Sequence, residues 1–342
     1  MPDSPQWTNL PDLAGRAVGG TVMAASDEFF ADKENLIKPE PAVFRPDTLT
    51  PKGQQYDGWE TRRRRGEPGI DWVVLRLGVP GVISGVIVDT AHFLGNFPQR
   101  CALYATAAEG YPSAGELTDW ELLVPDSPLA GGTGNAFEVG VRHRYTHVRL
   151  DIVPDGGVAR LRVHGEPVPD PREWASLPLD LAAVQNGGAI TGCSDSFFSP
   201  PANLLRPGSS AKMSDGWETA RRRTGGNDWA IVKLAGQGIP TVAELDTTHY
   251  RGNAPDHAIL TGMDATTDPD TWFPLLPATR LQPDTVHRFR LPEPRPTTHV
   301  RVDIVPDGGL ARLRLYGNLT EAGLSAAQRR WYDLLPPHQV TR

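Results

Sequence analysis

One long block of this sequence is written twice, and that duplication restricts the fold more than any other feature. The phrases "SDEFFADKENLI" from Ser26, "DGWETRRRR" from Asp57, "VIVDTAHFLGNFP" from Val86 and "THVRLDIVPDGGVARLRVHG" from Thr146 occur in that order. They return as "SDSFFSPPANLL" from Ser194, "DGWETARRR" from Asp215, "VAELDTTHYRGNAP" from Val242 and "THVRVDIVPDGGLARLRLYG" from Thr298. Two long copies with similar internal spacing imply two domains of one fold rather than a short-period solenoid. With 342 residues, each copy is large enough to bury its own core. The repeats are placed at 11–166 and 179–318, with a proline-rich linker at 167–178 that reads as extended and stiff. The tail, 319–342, holds "SAAQRRWYDLLP", where Ser325 followed by Gln328 resembles a capping box and predicts a short docking helix.

Helix is otherwise scarce. In "THVRLDI" the residues Thr146, Val148, Leu150 and Ile152 alternate with His147, Arg149 and Asp151, so a pleated strand puts an aliphatic row inward and a polar row outward. "ARLRVHG" does the same, with Leu161 and Val163 inward and Arg160, Arg162 and His164 outward. The intervening "PDGG" has the turn chemistry of a hairpin. About eight such strand segments per repeat, rich in Gly and Pro breaks, predict an all-β antiparallel sandwich of the jelly-roll type. The pairs Phe29-Phe30 and Phe197-Phe198 read as core aromatics.

A formal net charge of -7 argues against non-specific binding of nucleic acid or an anionic membrane, so any basic patch acts locally. The most apolar segment, 72–88, is broken by Arg76, Pro80 and several glycines and is too short to span a bilayer. The N-terminal residues lack a basic start followed by an apolar stretch, so no signal peptide is expected. Cys101 and Cys193 are the only cysteines, which speaks against a disulfide framework and for a reducing cytoplasm.

Within the repeats, two islands suggest chemistry. A four-arginine run alone is a weak motif, but its recurrence fused to Asp-Gly-Trp-Glu-Thr suits guanidinium forks set against a small carboxylate or urea-like ligand. The competing reading has Glu60 and Glu218 paired with the arginines to brace a loop. "DTAHFLGN" and "DTTHYRGN" follow a strand, where Asp89 and His92 meet only if the chain turns at Thr90-Ala91. If they meet, the carboxylate orients a general acid or base; if not, His92 braces a loop. No metal-binding motif occurs, no cofactor is expected, and a divalent ion is left open. Neither cysteine recurs and no nucleophile elbow exists, so covalent catalysis has no support.

Taken together, the four islands and their second copies resemble the allantoicase family, over nearly the whole chain; Ala220 in place of Arg62 is the plainest departure. The resemblance implies two galactose-binding-like jelly rolls and hydrolysis of allantoate to ureidoglycolate and urea. Allantoate carries one carboxylate and two ureido groups on a single carbon, so its site needs forked cations and acceptors for N–H groups. On this reading the catalytic candidates are Glu60, Asp89 and His92 with Glu218, Asp246 and His249. The substrate-binding candidates are Arg62, Arg63, Arg64 and Asn96 with Arg221, Arg222 and Asn253. Elimination followed by water addition and direct displacement would use the same groups. The first repeat is expected to carry more of the catalysis, because Glu28, Asp32, Lys33, Glu34 and Arg62 stand opposite Ser196, Pro200, Pro201, Ala202 and Ala220. A homo-oligomer is implied by the resemblance alone. The alternative is a non-catalytic tandem jelly roll that binds carbohydrate or another small molecule.

Overall fold

The computed structural model describes residues 5–46, 49–51, 53–66, 68–174 and 177–340. The chain divides into two compact units, Pro169–Trp331 and the remainder, which joins Met1–Val168 to Tyr332–Arg342. Each unit is a jelly-roll β-sandwich built around one strand of 19 residues, Asp71–Asp89 in the first and Asp228–Asp246 in the second.

In the first unit this long strand serves both layers. Residues 71–76 pair with Arg144–Val153 on one side and Thr21–Ala25 on the other. Residues 81–89 pair with Arg160–Pro167, and residues 85–89 also with Gly134–Glu138. The crossing falls at the Gly-Val-Pro-Gly segment 78–81, where the register against Arg144–Val153 slips between Arg76 and Gly81. Pro80 has no N–H to give to a ladder, so a break there is expected. Arg100–Thr106 and Glu121–Pro128 extend the first layer, and every pairing is antiparallel. The second unit repeats the plan, with Thr297–Val305 and Arg312–Leu319 on the two halves of its long strand.

The aliphatic rows face the core as their alternation requires: Val148, Leu150, Ile152, Leu161 and Val163 are wholly buried, as are Val300, Val302, Ile304, Leu313 and Leu315. Each such side chain contributes about 1.5–3 kcal/mol on leaving water. The polar rows differ from expectation, for His147, Asp151 and Arg160 are buried as well. Loops cover the outer face, and the Arg160 guanidinium is spent on the Glu40 and Asp57 carbonyls and the Asp57 carboxylate.

Three other expectations are corrected. "PDGG" is no hairpin turn, because Arg144–Val153 and Arg160–Pro167 pair with different halves of the long strand. Instead Gly157–Val158 forms its own short ladder with Trp59–Glu60. The C-terminal helix runs Glu321–Asp333, starting before Ser325; its cap is Thr320, whose Oγ1 accepts from Gly323 N–H at 3.0 Å. Phe29, Phe197 and Phe198 lie at the surface, 37%, 72% and 62% exposed. Among its described residues the linker contains one 3-10 turn, at Pro171–Trp174. Among the described residues no helix is long and apolar enough to cross a membrane.

The absence of a side chain at Gly157 and Gly309 lets an aromatic ring from the neighbouring loop seat against the short ladder. A Cβ at Gly157 would lie 2.0 Å from the Phe93 ring, and one at Gly309 would lie 1.9 Å from the Tyr250 ring. Gly157→Ala and Gly309→Ala are therefore expected to destabilise their units by about 1–3 kcal/mol through overpacking. Urea unfolding followed by tryptophan fluorescence measures this; unchanged midpoints would refute the seating.

Candidate active site

The two-residue strand Trp59–Glu60 sets the geometry of the site. Trp59 is wholly buried, and its Nε1–H donates to the Asp27 carbonyl at 2.7 Å. Main-chain bonds hold Glu60 on both sides, to Ala31 and to the Gly157–Val158 strand. Because successive side chains in a strand alternate, Trp59 in the core sends Glu60 the other way. Glu60 is only 9% exposed, and its Oε1 accepts from Asn96 Nδ2 at 2.7 Å. Burial raises its pKa above that of an ordinary glutamate, with the Asn96 hydrogen bond and the Arg63 charge opposing part of the rise.

Beyond Glu60 the arginines separate, and the first three are held by three aspartates, of which Asp155 serves both Arg63 and Arg64. Arg62 donates from its main chain and Nε to the Asp27 carboxylate, at 2.9 and 2.8 Å, and its guanidinium lies 4.8 Å from the Phe29 ring centre. Arg63 donates to Asp155 Oδ1 at 3.1 Å and to the Gly95 carbonyl at 3.0 Å. The Arg64 main chain donates to Asp155 Oδ2 at 2.7 Å, and its side chain forks onto Asp71 Oδ1 at 3.2 and 2.7 Å. Arg65 is exposed and has no partner among the described residues. The carboxylates that aim these arginines are thus Asp27, Asp155 and Asp71, not Glu60. Sequence reasoning passed over all three. The signal was present, since Asp195, Asp307 and Asp228 stand at the matching positions of the second copy.

Asp89 and His92 are not brought together. The chain does turn after Asp89, whose Oδ1 accepts from Ala91 N–H at 2.8 Å. His92, however, has a left-handed backbone, φ 70°, which directs its ring to the Ala42 carbonyl, 3.1 Å from Nε2, and against Phe44. The second unit is alike: Asp246 Oδ1 accepts from Thr248 N–H at 2.7 Å, while His249, φ 74°, places Nε2 3.0 Å from the Ser210 carbonyl. Both imidazoles hold the loop that precedes the arginine segment.

The second unit keeps the glutamate pair and loosens the rest. Glu218 Oε1 accepts from Asn253 Nδ2 at 2.6 Å, and Trp217 Nε1–H donates to the Asp195 carbonyl at 2.9 Å. Arg222 repeats the Arg64 bonds, to Asp307 Oδ2 at 2.7 Å and Asp228 Oδ1 at 3.3 Å. Arg221 is exposed, as Arg63 is, but unlike Arg63 it makes no hydrogen bond or ion pair among the described residues. Of the additional charges of the first copy, Lys33 pairs with Glu28 at 3.0 Å and Glu34 pairs with Arg16, both at the surface. Among the described residues no three His, Cys, Asp or Glu side chains are grouped to hold a metal ion.

The chain matches the family model described as the allantoicase repeat at residues 11–168 and again at 179–320. A Nocardia farcinica protein named "Probable allantoicase" is 55% identical over 317 residues, covering 92% of this chain and 95% of the relative. One of the same name from Streptomyces coelicolor is 47% identical, over 96% of this chain and 90% of its own. Among solved structures, the allantoicase of Saccharomyces cerevisiae is 35% identical with a TM-score of 0.76, covering 90% of this chain and 92% of that one. By the repeat, the relatives and the fold, this chain belongs to the allantoicase family.

Proposed function

We propose that the protein hydrolyses allantoate, adding water across the bond between the central carbon and one ureido nitrogen to release urea and ureidoglycolate. One observation carries the chemical side of this reading: a desolvated carboxyl, Glu60, is held by Asn96 beside the Arg63 charge, and the pair recurs as Glu218 and Asn253. A carboxyl whose pKa is raised by burial is better suited than an ordinary one to passing a proton between water and a departing nitrogen. Glu60 is the proton-transfer group of the proposal. Arg62, Arg63 and Arg64 supply the forks for the substrate carboxylate, and Asn96 orients Glu60. Asp89 and His92, with Asp246 and His249, shape the loops that carry these groups. The first unit does more of the chemistry, because its glutamate is the more buried and its Arg63 is the better anchored. Glu218, Arg221, Arg222 and Asn253 form a looser second copy. A carbohydrate reader fits less well, having no use for a desolvated carboxyl beside aimed guanidinium groups. The same reading places the enzyme in the cytoplasm, in keeping with two free thiols, and as a homo-oligomer, as the family implies.

The direct test is urea release from allantoate by the purified protein, with and without a chelator; folded protein that releases none near neutral pH would remove the reading. Glu60→Gln is expected to lower kcat by about 10² or more, the usual size of a lost acid–base group. Its effect on stability has the opposite sign. The raised pKa means that the folded state favours protonated Glu60, so this group's contribution is present at low pH and lost as pH rises through the folded value. At neutral pH the neutral amide is therefore expected to raise Tm while turnover falls, and Glu218→Gln is expected to do less of both. Scanning calorimetry beside steady-state kinetics decides, and a falling Tm would contradict the desolvation argument. His92→Ala is expected to lower Tm, with a kcat loss well short of the ~10²-fold typical of a general acid or base. A folded variant with that full kcat loss would move His92 into the chemistry.

A further inference from the structure

The first unit shows how its Ser-Asp-Glu-Phe-Phe phrase holds a guanidinium group. Asp27 Oδ1 accepts from the Phe29 and Arg62 main chains at 3.0 and 2.9 Å, Oδ2 accepts from Arg62 Nε at 2.8 Å, and the guanidinium lies 4.8 Å from the Phe29 ring centre. The second unit reproduces this frame. Asp195 Oδ1 accepts from the Phe197 and Ala220 main chains, again at 3.0 and 2.9 Å, and the Trp217 indole anchors the Asp195 carbonyl as Trp59 anchors Asp27. The two phenylalanines meet edge to face in both copies, at 88° in the first and 87° in the second. Only the guanidinium is not repeated, because Ala220 stops at Cβ where Arg62 continues. Asp195 is partly exposed, and its Oδ2 makes no hydrogen bond among the described residues. Phe197 is 72% exposed, against 37% for Phe29 under Arg62.

We propose that the slot formed by Asp195, Phe197 and Ala220 binds an arginine side chain presented by another polypeptide, which takes the place that Arg62 holds in the first unit. The open carboxylate oxygen is a charge-assisted acceptor, and the ring face beside it attracts a cation. A guanidinium answers both at once, since it is planar and donates in its own plane while lying over the ring, which a lysine ammonium does not. Phe198 decides between a polypeptide and a free cation. It is 62% exposed next to Phe197, so the slot continues into an apolar face that a bare guanidinium ion leaves wet and an arginine flanked by apolar side chains covers. The charges are the reverse of those at the arginine segment: here the ligand is the cation and the protein supplies the carboxylate.

Ligand-observed saturation-transfer NMR on the full-length protein tests this with the blocked peptide acetyl-Leu-Arg-Leu-amide, its citrulline counterpart, and methylguanidinium. The citrulline peptide has the same shape but a neutral ureido group, and is expected to bind about tenfold more weakly than the arginine peptide, as for a lost charged hydrogen bond. Methylguanidinium is expected to fall about tenfold short as well, lacking the leucines that cover Phe198. Asp195→Asn keeps an amide oxygen for the two main-chain bonds and is expected to weaken the arginine peptide about tenfold. Phe197→Leu is expected to weaken it about two- to fivefold. Ala220→Arg supplies the guanidinium from within the chain and is expected to exclude the peptide. Equal binding of the arginine and citrulline peptides, or undiminished binding to folded Ala220→Arg or Asp195→Asn, would overturn the site. Methylguanidinium binding as tightly as the arginine peptide would overturn the polypeptide partner. A smaller assembly for Ala220→Arg than for wild type in sedimentation velocity would support the proposal and identify the arginine as that of a second copy of this chain.

Discussion

Asp155 is almost wholly withdrawn from water, yet it accepts from the Arg63 guanidinium on one oxygen and from the Arg64 main chain on the other. The Arg63 side chain is about half exposed, so water screens the pair, but losing these donors would leave the buried Asp155 carboxylate without partners. The contact joins the loop after Arg144–Val153 to the arginine segment. Around it, Thr61 and the Gly156 main chain share three further bonds, and Gly157–Val158 pairs with Trp59–Glu60. Glu60 and the arginines are therefore placed by the sandwich itself and not by a free loop. Asp307 performs the same service for Arg222, with Thr219 and Gly308 in the matching positions.

The same surroundings tune neighbouring carboxyls in opposite directions. Burial pushes both Asp27 and Glu60 up. For Asp27, donors from the Phe29 and Arg62 main chains and the Arg62 side chain more than cancel that push, so its pKa falls below the usual aspartate value. Glu60 has Asn96 and the more distant Arg63 charge, which are too few, and its pKa rises. Deeper burial of Glu60, together with its fewer donors, separates it from Asp27, the carboxylate that holds an arginine.

Divergence between the copies follows from a few substitutions. Arg62 lies over the Phe29 ring, whereas Ala220 leaves Phe197 and Phe198 uncovered. The first copy also has a longer segment before its Asp-Gly-Trp-Glu, so His92 meets Ala42 and Phe44 where His249 meets Ser210. Asp89 and Asp246, by contrast, make the same turn bond in both. The scaffold is kept and the surface of the site is varied.

The sequence alone was enough to establish the duplication, the strand rows such as Val148, Leu150 and Ile152, the all-β class, and the grouping of Glu60, Asn96 and the arginines into islands. These are properties of spacing along the chain, and a pleated strand converts spacing directly into facing. Four matters were decided only by tertiary structure. "PDGG" looked like a hairpin because turn chemistry is local, whereas its flanking strands pair with opposite halves of one long strand, with partners 62 to 86 residues earlier. Spacing left open whether Asp89 and His92 meet, since that depended on a turn at Thr90-Ala91; the chain does turn, but a left-handed φ at His92 directs the ring to the Ala42 carbonyl. The polar row holding Arg160 looked like surface until a loop from another part of the chain covered it. The choice of Asp27, Asp155 and Asp71 as arginine partners depends on residues up to 92 positions apart, so no local pattern could have selected them. Periodicity and repetition are written in the chain; burial, partner choice and pKa arise only when distant segments displace water from one another.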